Sequence, residues 1–253
     1  MDPLNSEEIQ NLKASGKILN TAILEVENAL KPGISTSKLN QIAESAIRKQ
    51  GAKPSFLNYK AAASPPFPAT LCVSINSKVV HGVPIEDEII KEGDVVGLDL
   101  GCVYKGMYSD MAITKIAGAP KDTIHKKLVE TTKEALNIGI KNVAPGSYTG
   151  DIGHAIQSYV KSKGFNVVRA LVGHGIGRSA HEDPQVPNFG EKGEGELLVE
   201  NTAIAIEPMV AIGNSDIKTS DDGWTIETVD GSISAHFEHT VLISPNKAEV
   251  ITK

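Results

Sequence analysis

The segment that begins at Pro32 recurs 113 residues later at Pro145. The shift lays Gly33 on Gly146, Thr36 on Thr149, Leu39 on Ile152, Ala43 on Ile156, Ser45 on Ser158, Ile47 on Val160 and Gly51 on Gly164. Any two amphipathic helices align at their apolar positions. The shared Pro-Gly-x-x-Thr start and glycine stop go beyond that. A shift of 108 then places Val95-Val96-Gly97-Leu98-Asp99 on Ala203-Ile204-Ala205-Ile206-Glu207, so a five-residue insertion or deletion separates the two blocks. Both halves read helix, helix, strand. Such a chain folds as one α+β domain over residues 1–253, from similar halves of about 1–118 and 119–253. Helices cover one face of a curved, largely antiparallel sheet. Asp99 and Glu207 then hold equivalent places, and a pseudo-two-fold brings them to a common centre.

Local signals fill in this frame. Asn5 followed by Glu8 reads as a capping box, and apolar residues from Ile9 to Leu30 recur at helical spacing until Pro32-Gly33. A second helix turns Leu39, Ile42, Ala43, Ala46 and Ile47 inward and stops at Gly51. Residues 60–70, with three prolines, read as a loop. Strand-like runs follow at Leu71–Asn76, Val95–Leu100 and Ser109–Ile116. Helices return after Pro120 and end at Gly164, beyond which short strands and turns dominate.

Composition narrows the partners. Of 253 residues 40% are hydrophobic and 22% charged, the balance of a globular protein and not of a disordered or collagenous one. A formal net charge of -6 argues against nucleic acid, whose phosphates need a basic surface. An aromatic content of 4% argues against a base-stacking platform. No run approaches the roughly 18 apolar residues of a membrane span, and Met1–Gln10 does not read as a signal peptide. Cys72 and Cys102 form no disulfide framework and suit a reducing cytoplasm.

Carboxylates in apolar strands carry the chemistry. Asp99 sits in Val95–Gly101, where burial is costly unless the charge is paired or bound to a cation. In a hairpin turning at Tyr104-Lys105-Gly106, positions whose numbers sum to 209 face each other, which sets Asp110 opposite Asp99 on one face, a register that a bulge at Gly106 would shift. Facing like charges require a cation between them or a shared proton. For this pair alone, a turn aspartate at 110 and a lysine-paired Asp99 fit equally well. Glu207 ends the apolar run from Ala203, and Glu238 precedes Val241-Leu242-Ile243. Four such carboxylates suit a pair of divalent ions bridged by oxygen ligands. His174, among Gly173, Gly175 and Gly177, reads as a ligand or catalytic group with backbone close to a bound molecule. His181 and His81 are further candidates. His236 shares strand parity with Glu238 and points the same way, whereas His239 faces away. His125 and His154 fall on helices and are expected to face solvent. Dinucleotide and phosphate-loop glycine motifs, a nucleophile elbow, HExxH and CxxC are all absent.

With these residues in view, nearly the whole chain resembles the type I methionine aminopeptidases, which have the pita-bread fold. The likeness lies in His81-Gly82-Val83-Pro84, Gly97-Leu98-Asp99-Leu100-Gly101, Tyr108-Ser109-Asp110, Gly173–Arg178, His181–Val186, Ile206–Met209, Asp221–Thr225 and Phe237–Thr240. The resemblance implies a five-ligand set. Asp110 and Glu238 bridge two divalent ions (Co, Mn, Fe or Zn), Asp99 completes one, and His174 with Glu207 completes the other. It adds a structural monovalent cation.

The implied reaction is removal of initiator methionine from nascent chains at the ribosome, when the second residue is small. A metal-bridging hydroxide attacks the scissile carbonyl, Glu207 is general base, His181 donates to the developing oxyanion and His81 contacts the scissile amide nitrogen. The free α-amine binds a metal. Tyr59, Phe67, Cys72 and Trp224 form the methionine pocket, whose apolar walls and polarizable thiol suit a thioether. A cytoplasmic monomer that needs neither nucleic acid nor membrane is the implied setting. The sequence departs from the common pattern in a longer Tyr59–Cys72 loop, in Phe56, and in His236 where glutamine is common. The intervals of 33 residues from His174 to Glu207 and 31 from Glu207 to Glu238 leave no room for the type II helical insertion. Prolidases and aminopeptidases P share the five ligands, and a catalytically dead relative is the rival of another kind.

Overall fold

A computed structural model describes residues 2–61, 64–245 and 247–253. The first half contains α1 (Ser6–Ala29), α2 (Thr36–Lys49), β1 (Lys53–Pro54), β2 (Leu71–Ile75), β3 (Lys78–Val80), β4 (Val95–Tyr104) and β5 (Met107–Ile116). The second contains α3 (Thr123–Lys141), α4 (Thr149–Ser162), β6 (Asn166–Val167), β7 (Val172–Gly175), β8 (Glu182–Pro187), β9 (Ala203–Ile206) and β10 (Met209–Ala211). It continues with β11 (Ile217–Thr219), β12 (Ile226–Thr228), β13 (Ser234–His236), β14 (Glu238–Ser244) and β15 (Lys247–Val250). Positions 62 and 63 of the expected loop lie outside the described residues.

The repeat is legible bond by bond. α2 and α4 are each 14 residues long, with bounds 113 apart. Gly33 N–H donates to Ile90 carbonyl at 2.8 Å, and Gly146 N–H donates to Leu198 carbonyl at 3.0 Å. Isolated bridges join Ser35 to Ile89 and Tyr148 to Leu197. The halves are thus pseudo-symmetric down to the turns that enter their second helices. Gly33 and Gly146 sit at φ +92° and +84°, where a side chain is strained, which explains the shared Pro-Gly start. The Asn5–Glu8 capping box is present, with Asn5 Oδ1 accepting from Glu8 N–H at 3.0 Å and Glu8 accepting from Asn5 N–H at 2.8 Å.

Among the described residues nine strands form one antiparallel sheet, ordered β1-β4-β5-β14-β9-β7-β8 with β2 on β4 and β15 on β14. β5 and β14 join the halves at its middle. Strand alternation divides the residues by face. Val96, Leu98, Leu100 and Met111 pack with α1 and α2, and Ile204, Ile206, Val241 and Ile243 pack with α3 and α4. The intervening residues, Asp99, Asp110 and Glu238 among them, line the other face.

The hairpin register differs from expectation. Tyr104 pairs with Met107, Asp99 with Ala112 and Gly101 with Asp110, so paired numbers sum to 211 without a bulge. The turn is Lys105-Gly106 at φ +48° and +83°, a left-handed pair that suits the hairpin's twist. Asp110 is therefore the diagonal neighbour of Asp99 on the same face, not its direct partner. Both strands also run further toward the turn than their apolar runs indicated.

Candidate metal centre and adjoining pocket

Asp99, Asp110 and Glu238 are 8%, 4% and 3% exposed, so each ionised oxygen needs a partner. Glu207 follows β9 directly and opens onto the same face. His174 projects from β7, and its Nδ1 lies 2.9 Å from the Gly175 carbonyl. With the proton on Nδ1, that bond leaves the Nε2 lone pair free, and Nε2 lies 3.5 Å from Glu207 Oε1. Two of the glycines around His174 are required by neighbouring backbone. A Cβ on Gly173 would overlap the Ala205 carbonyl, and one on Gly175 the Asp183 carbonyl. These two let β8 and β9 approach β7 closely.

Donor atoms of Asp110, His174 and Glu238 lie within 4.8 Å of one another, as do those of Glu207, His236 and Glu238. Asp99 Oδ1, Asp110 Oδ1 and Glu238 Oε1 are buried without a hydrogen-bond partner. Burial pushes Asp99 up to about 7, against hydrogen bonding from Cys72 and Asp110 that pulls it down. Burial also drives Asp110, Glu207 and Glu238 well above the usual carboxylate range, and each is raised further by neighbouring carboxylates. Burial lowers His174 to about 3. Converging orphaned oxygens, mutual repulsion and a neutral imidazole fit a divalent cation, which satisfies all three.

A cavity of about 270 Å³ opens from this cluster. Its far end is apolar, lined by Phe56, Tyr59, Phe67 and Trp224, and Cys72 lines the cavity next to Asp99, its partner across β2 and β4. The Phe67 and Trp224 rings meet edge to face with centroids 5.2 Å apart. Trp224 Nε1–H donates to the Pro65 carbonyl at 2.8 Å and Ser64 Oγ donates to the Gly223 carbonyl at 3.0 Å, so the long loop closes onto the Asp221–Thr225 turn. Asp222 Oδ1 in turn accepts from the backbone N–H of Trp224 and Thr225, both at 2.8 Å.

Between the two ends stand His81 and His181. His81 is held at φ +57°, and a Cβ on Gly82 would overlap the Val73 carbonyl. The strained corner and the close backbone passage aim the His81 ring into the cavity. Burial, then the nearby His181, lowers His81 to about 4, and burial lowers His181 as well. The His181 ring lies 4.3 Å from that of His174 and 5.1 Å from that of Tyr59.

The structure thus brings together all five carboxylate and histidine candidates, both flanking histidines and the four pocket residues. His236 also enters, buried beneath the carboxylates, and His239 faces away, 2.9 Å from Thr252 Oγ1. His125 and His154 are half-buried on their helices rather than solvent-facing. Leu171 and Met209 line the cavity too. Sequence reasoning missed them because nothing distinguishes them from core residues.

A curved antiparallel sheet with an acidic cluster and imidazole on its concave face defines a pita-bread metallohydrolase. The profile of metallopeptidase family M24 matches residues 10–245. The methionine aminopeptidase of Clostridium acetobutylicum is 42% identical over 248 residues, 98% of this chain and 97% of that one. The crystal structure of the methionine aminopeptidase from Thermotoga maritima superposes with a TM-score of 0.96 at 43% identity, covering 100% of this chain and 99% of that one. A prolidase from Pyrococcus furiosus shares the fold, with a TM-score of 0.79 at 24% identity, but 99% of this chain spans only 65% of that one. The chain belongs to metallopeptidase family M24 and, within it, to the methionine aminopeptidases.

Proposed function

We propose that this protein is a metal-dependent aminopeptidase that removes the N-terminal methionine from nascent polypeptides whose second residue is small. The observation that carries the reading is the cavity itself, an apolar end of aromatic rings running past the Cys72 thiol into the carboxylate–imidazole cluster. Trp224, Phe67, Tyr59 and Cys72 enclose the methionine side chain, whose thioether suits aromatic edges and a thiol.

Asp99, Asp110, His174, Glu207 and Glu238 would hold two divalent ions. When bound, these would supply a nucleophilic water and polarise the scissile carbonyl. Glu207 receives a proton at its carboxylate and returns it to the departing amine. His181, neutral and packed against Tyr59, donates an N–H to the oxygen that gains charge. His81 meets the scissile amide nitrogen from the opposite wall.

The whole chain acts as one catalytic domain, its halves of about 1–118 and 119–253 each giving ligands to one centre. As a setting we propose the cytoplasm, with a monomer working at the ribosome. Among the described residues no helix is long and apolar enough to cross a membrane. A tripeptide panel on metal-reconstituted protein tests the reading. Cleavage of Met-Ala-Ser with no cleavage of Xaa-Pro peptides is expected. The reverse preference assigns the site to an Xaa-Pro peptidase, and wild-type protein that binds no divalent ion in calorimetry removes the metal reading altogether.

A further inference from the structure

β5 and β14 pair antiparallel through Ala112–Glu238 and Met111–His239. The local two-fold of that pairing relates Asp110 to His236, one on either side of the Ala112–Glu238 level. Both residues are held by the same device. Asp110 N–H donates to Thr240 Oγ1 at 2.9 Å and Thr240 Oγ1 donates back to the Asp110 carbonyl at 2.8 Å. Two residues to the other side of Glu238, His236 N–H donates to Thr114 Oγ1 at 2.9 Å and Thr114 Oγ1 donates back to the His236 carbonyl at 2.6 Å. The His236 backbone is therefore fixed as firmly as that of Asp110, on the same face of the sheet.

The level matters. Thr240, beside Asp110, pairs with Ala205. Extending the Gly175–Ile204 pair by one residue puts His174 at that level too. His236 lies on the opposite side of Glu207 and Glu238. Glu207 is consequently sandwiched between two imidazoles. Its Oε1 faces His174 Nε2 at 3.5 Å and its Oε2 faces His236 Nε2 at 3.7 Å. Glu238 Oε2 is 3.8 Å from the same His236 nitrogen. His236 is 3% exposed, does not line the cavity, and its Nε2 has no hydrogen-bond partner. A buried imidazole nitrogen facing two carboxylate oxygens either binds a cation with them or, protonated, donates a hydrogen bond shared by both, and its place outside the cavity lining favours the second.

We propose that His236 is a positioning residue of this centre, whose Nε2–H holds the rear oxygens of Glu207 and Glu238 and leaves their other oxygens to bind the ions and accept the proton. The inference rests on the metallopeptidase reading above. Both contacts lie about half an ångström or more beyond hydrogen-bond length, and catalytic hydrogen bonds of unliganded sites commonly tighten on loading. Partners behind metal ligands typically govern about 10–100-fold in metal affinity.

The test compares wild type, His236→Gln and His236→Leu, using Zn as the probe. Calorimetry is expected to show affinity in the leucine variant weaker by about 10–100-fold. The glutamine variant, whose amide N–H reaches the same oxygens, should stay within about threefold of wild type, on the same reasoning that the donor and not the ring carries the effect. Nitrogen-detected NMR of the Zn-loaded wild type supplies an arm that does not depend on either variant folding. It should report His236 as an unligated Nε2–H tautomer and His174 as metal-bound. Equal affinity in all three proteins, equal loss in both variants, or a metal-bound His236 nitrogen each overturns the proposal. Wild type that binds none of Zn, Mn, Co or Fe instead overturns the metal reading itself, and so the two failures are distinct.

Discussion

Thr240 grips Asp110 by both of its backbone groups, its single hydroxyl accepting from the N–H and donating to the carbonyl. Thr240 is fully buried, so the arrangement is dry. A shared side chain here replaces a pair of ladder bonds and fixes where the Asp110 carboxylate points. Thr240→Val keeps the shape and removes both bonds, leaving two backbone groups without partners. The expected cost is about 1–3 kcal/mol of stability. Divalent-metal affinity should fall about tenfold or more, because an outer partner of a ligand has been removed. Chemical denaturation and metal calorimetry on the same preparation measure both. A variant as stable as wild type with unchanged metal affinity contradicts the role.

The metal-free protein should lose stability as pH rises from about 7.5 to 9. Histidines titrate near 6.5 in the unfolded chain and are almost all neutral above about 7.5. The buried His174, His81, His236 and His239, lowered to about 3 or 4, are neutral in the folded chain too, so above about 7.5 they give no slope. The carboxyls behave otherwise. Asp99 is raised to about 7, and Asp110, Glu207 and Glu238 lie well above the ordinary range. Between their unfolded values near 4 and these folded values the folded chain binds more protons, so their contribution shrinks as pH rises. Bound cations displace those protons and remove the slope. Melting curves with and without metal, at pH 7.5 and 9, check this. A metal-free Tm that rises over that interval would falsify the assignment of protonated carboxyls.

The same logic gives Asp110→Asn two effects of opposite sign. Without metal, the substitution removes a buried acid that Glu238 and Asp99 both repel. Tm of the metal-free protein at pH 8 should therefore rise by a few degrees, the scale of about 1 kcal/mol in a domain of this size. Metal binding and peptidase activity should be lost together. An unchanged metal stoichiometry, measured by elemental analysis after dialysis, contradicts the placement of Asp110 among the ligands.

Much of this was open to a reader of the sequence. The 113-residue shift located α4 from α2 to the residue, because the Pro-Gly turn and the terminal glycine obey local backbone rules that recur wherever the geometry recurs. Asp99 and Glu207 stood out because a carboxylate in an apolar run is expensive. The Asp99–Asp110 register was not legible. It depends on which two residues take φ > 0 in the turn, and Lys105 carries no signal for that conformation. Thr114 and Thr240 were equally silent, since a buried threonine in a strand reads as ordinary β propensity. Leu171 and Met209 belong to the pocket only through tertiary placement.

The pocket should also set the substrate's second residue. His81 and His181 both reach into the cavity between its apolar end and the carboxylate cluster. Neither ring is free to swing away. His181 is packed between His174 at 4.3 Å and Tyr59 at 5.1 Å, and His81 stands edge-on to Trp224 at 6.2 Å on a left-handed backbone corner. A bulky side chain on the leaving side has to displace the scissile amide instead of the rings. A misplacement of about 1 Å costs about 100-fold in rate. A Met-Xaa-Ser series with Xaa running from glycine to leucine, glutamate and lysine is therefore expected to show kcat/KM falling by about that factor or more once the side chain passes valine in length. Replacing His181 by alanine should flatten the series while lowering its best member, because the same ring both excludes bulk and serves the reaction. Comparable kcat/KM for Met-Gly-Ser and Met-Leu-Ser in the wild type refutes the claim. Slow cleavage of every methionyl peptide, with another first residue preferred, shifts the fault to the pocket formed by Tyr59, Phe67, Cys72 and Trp224.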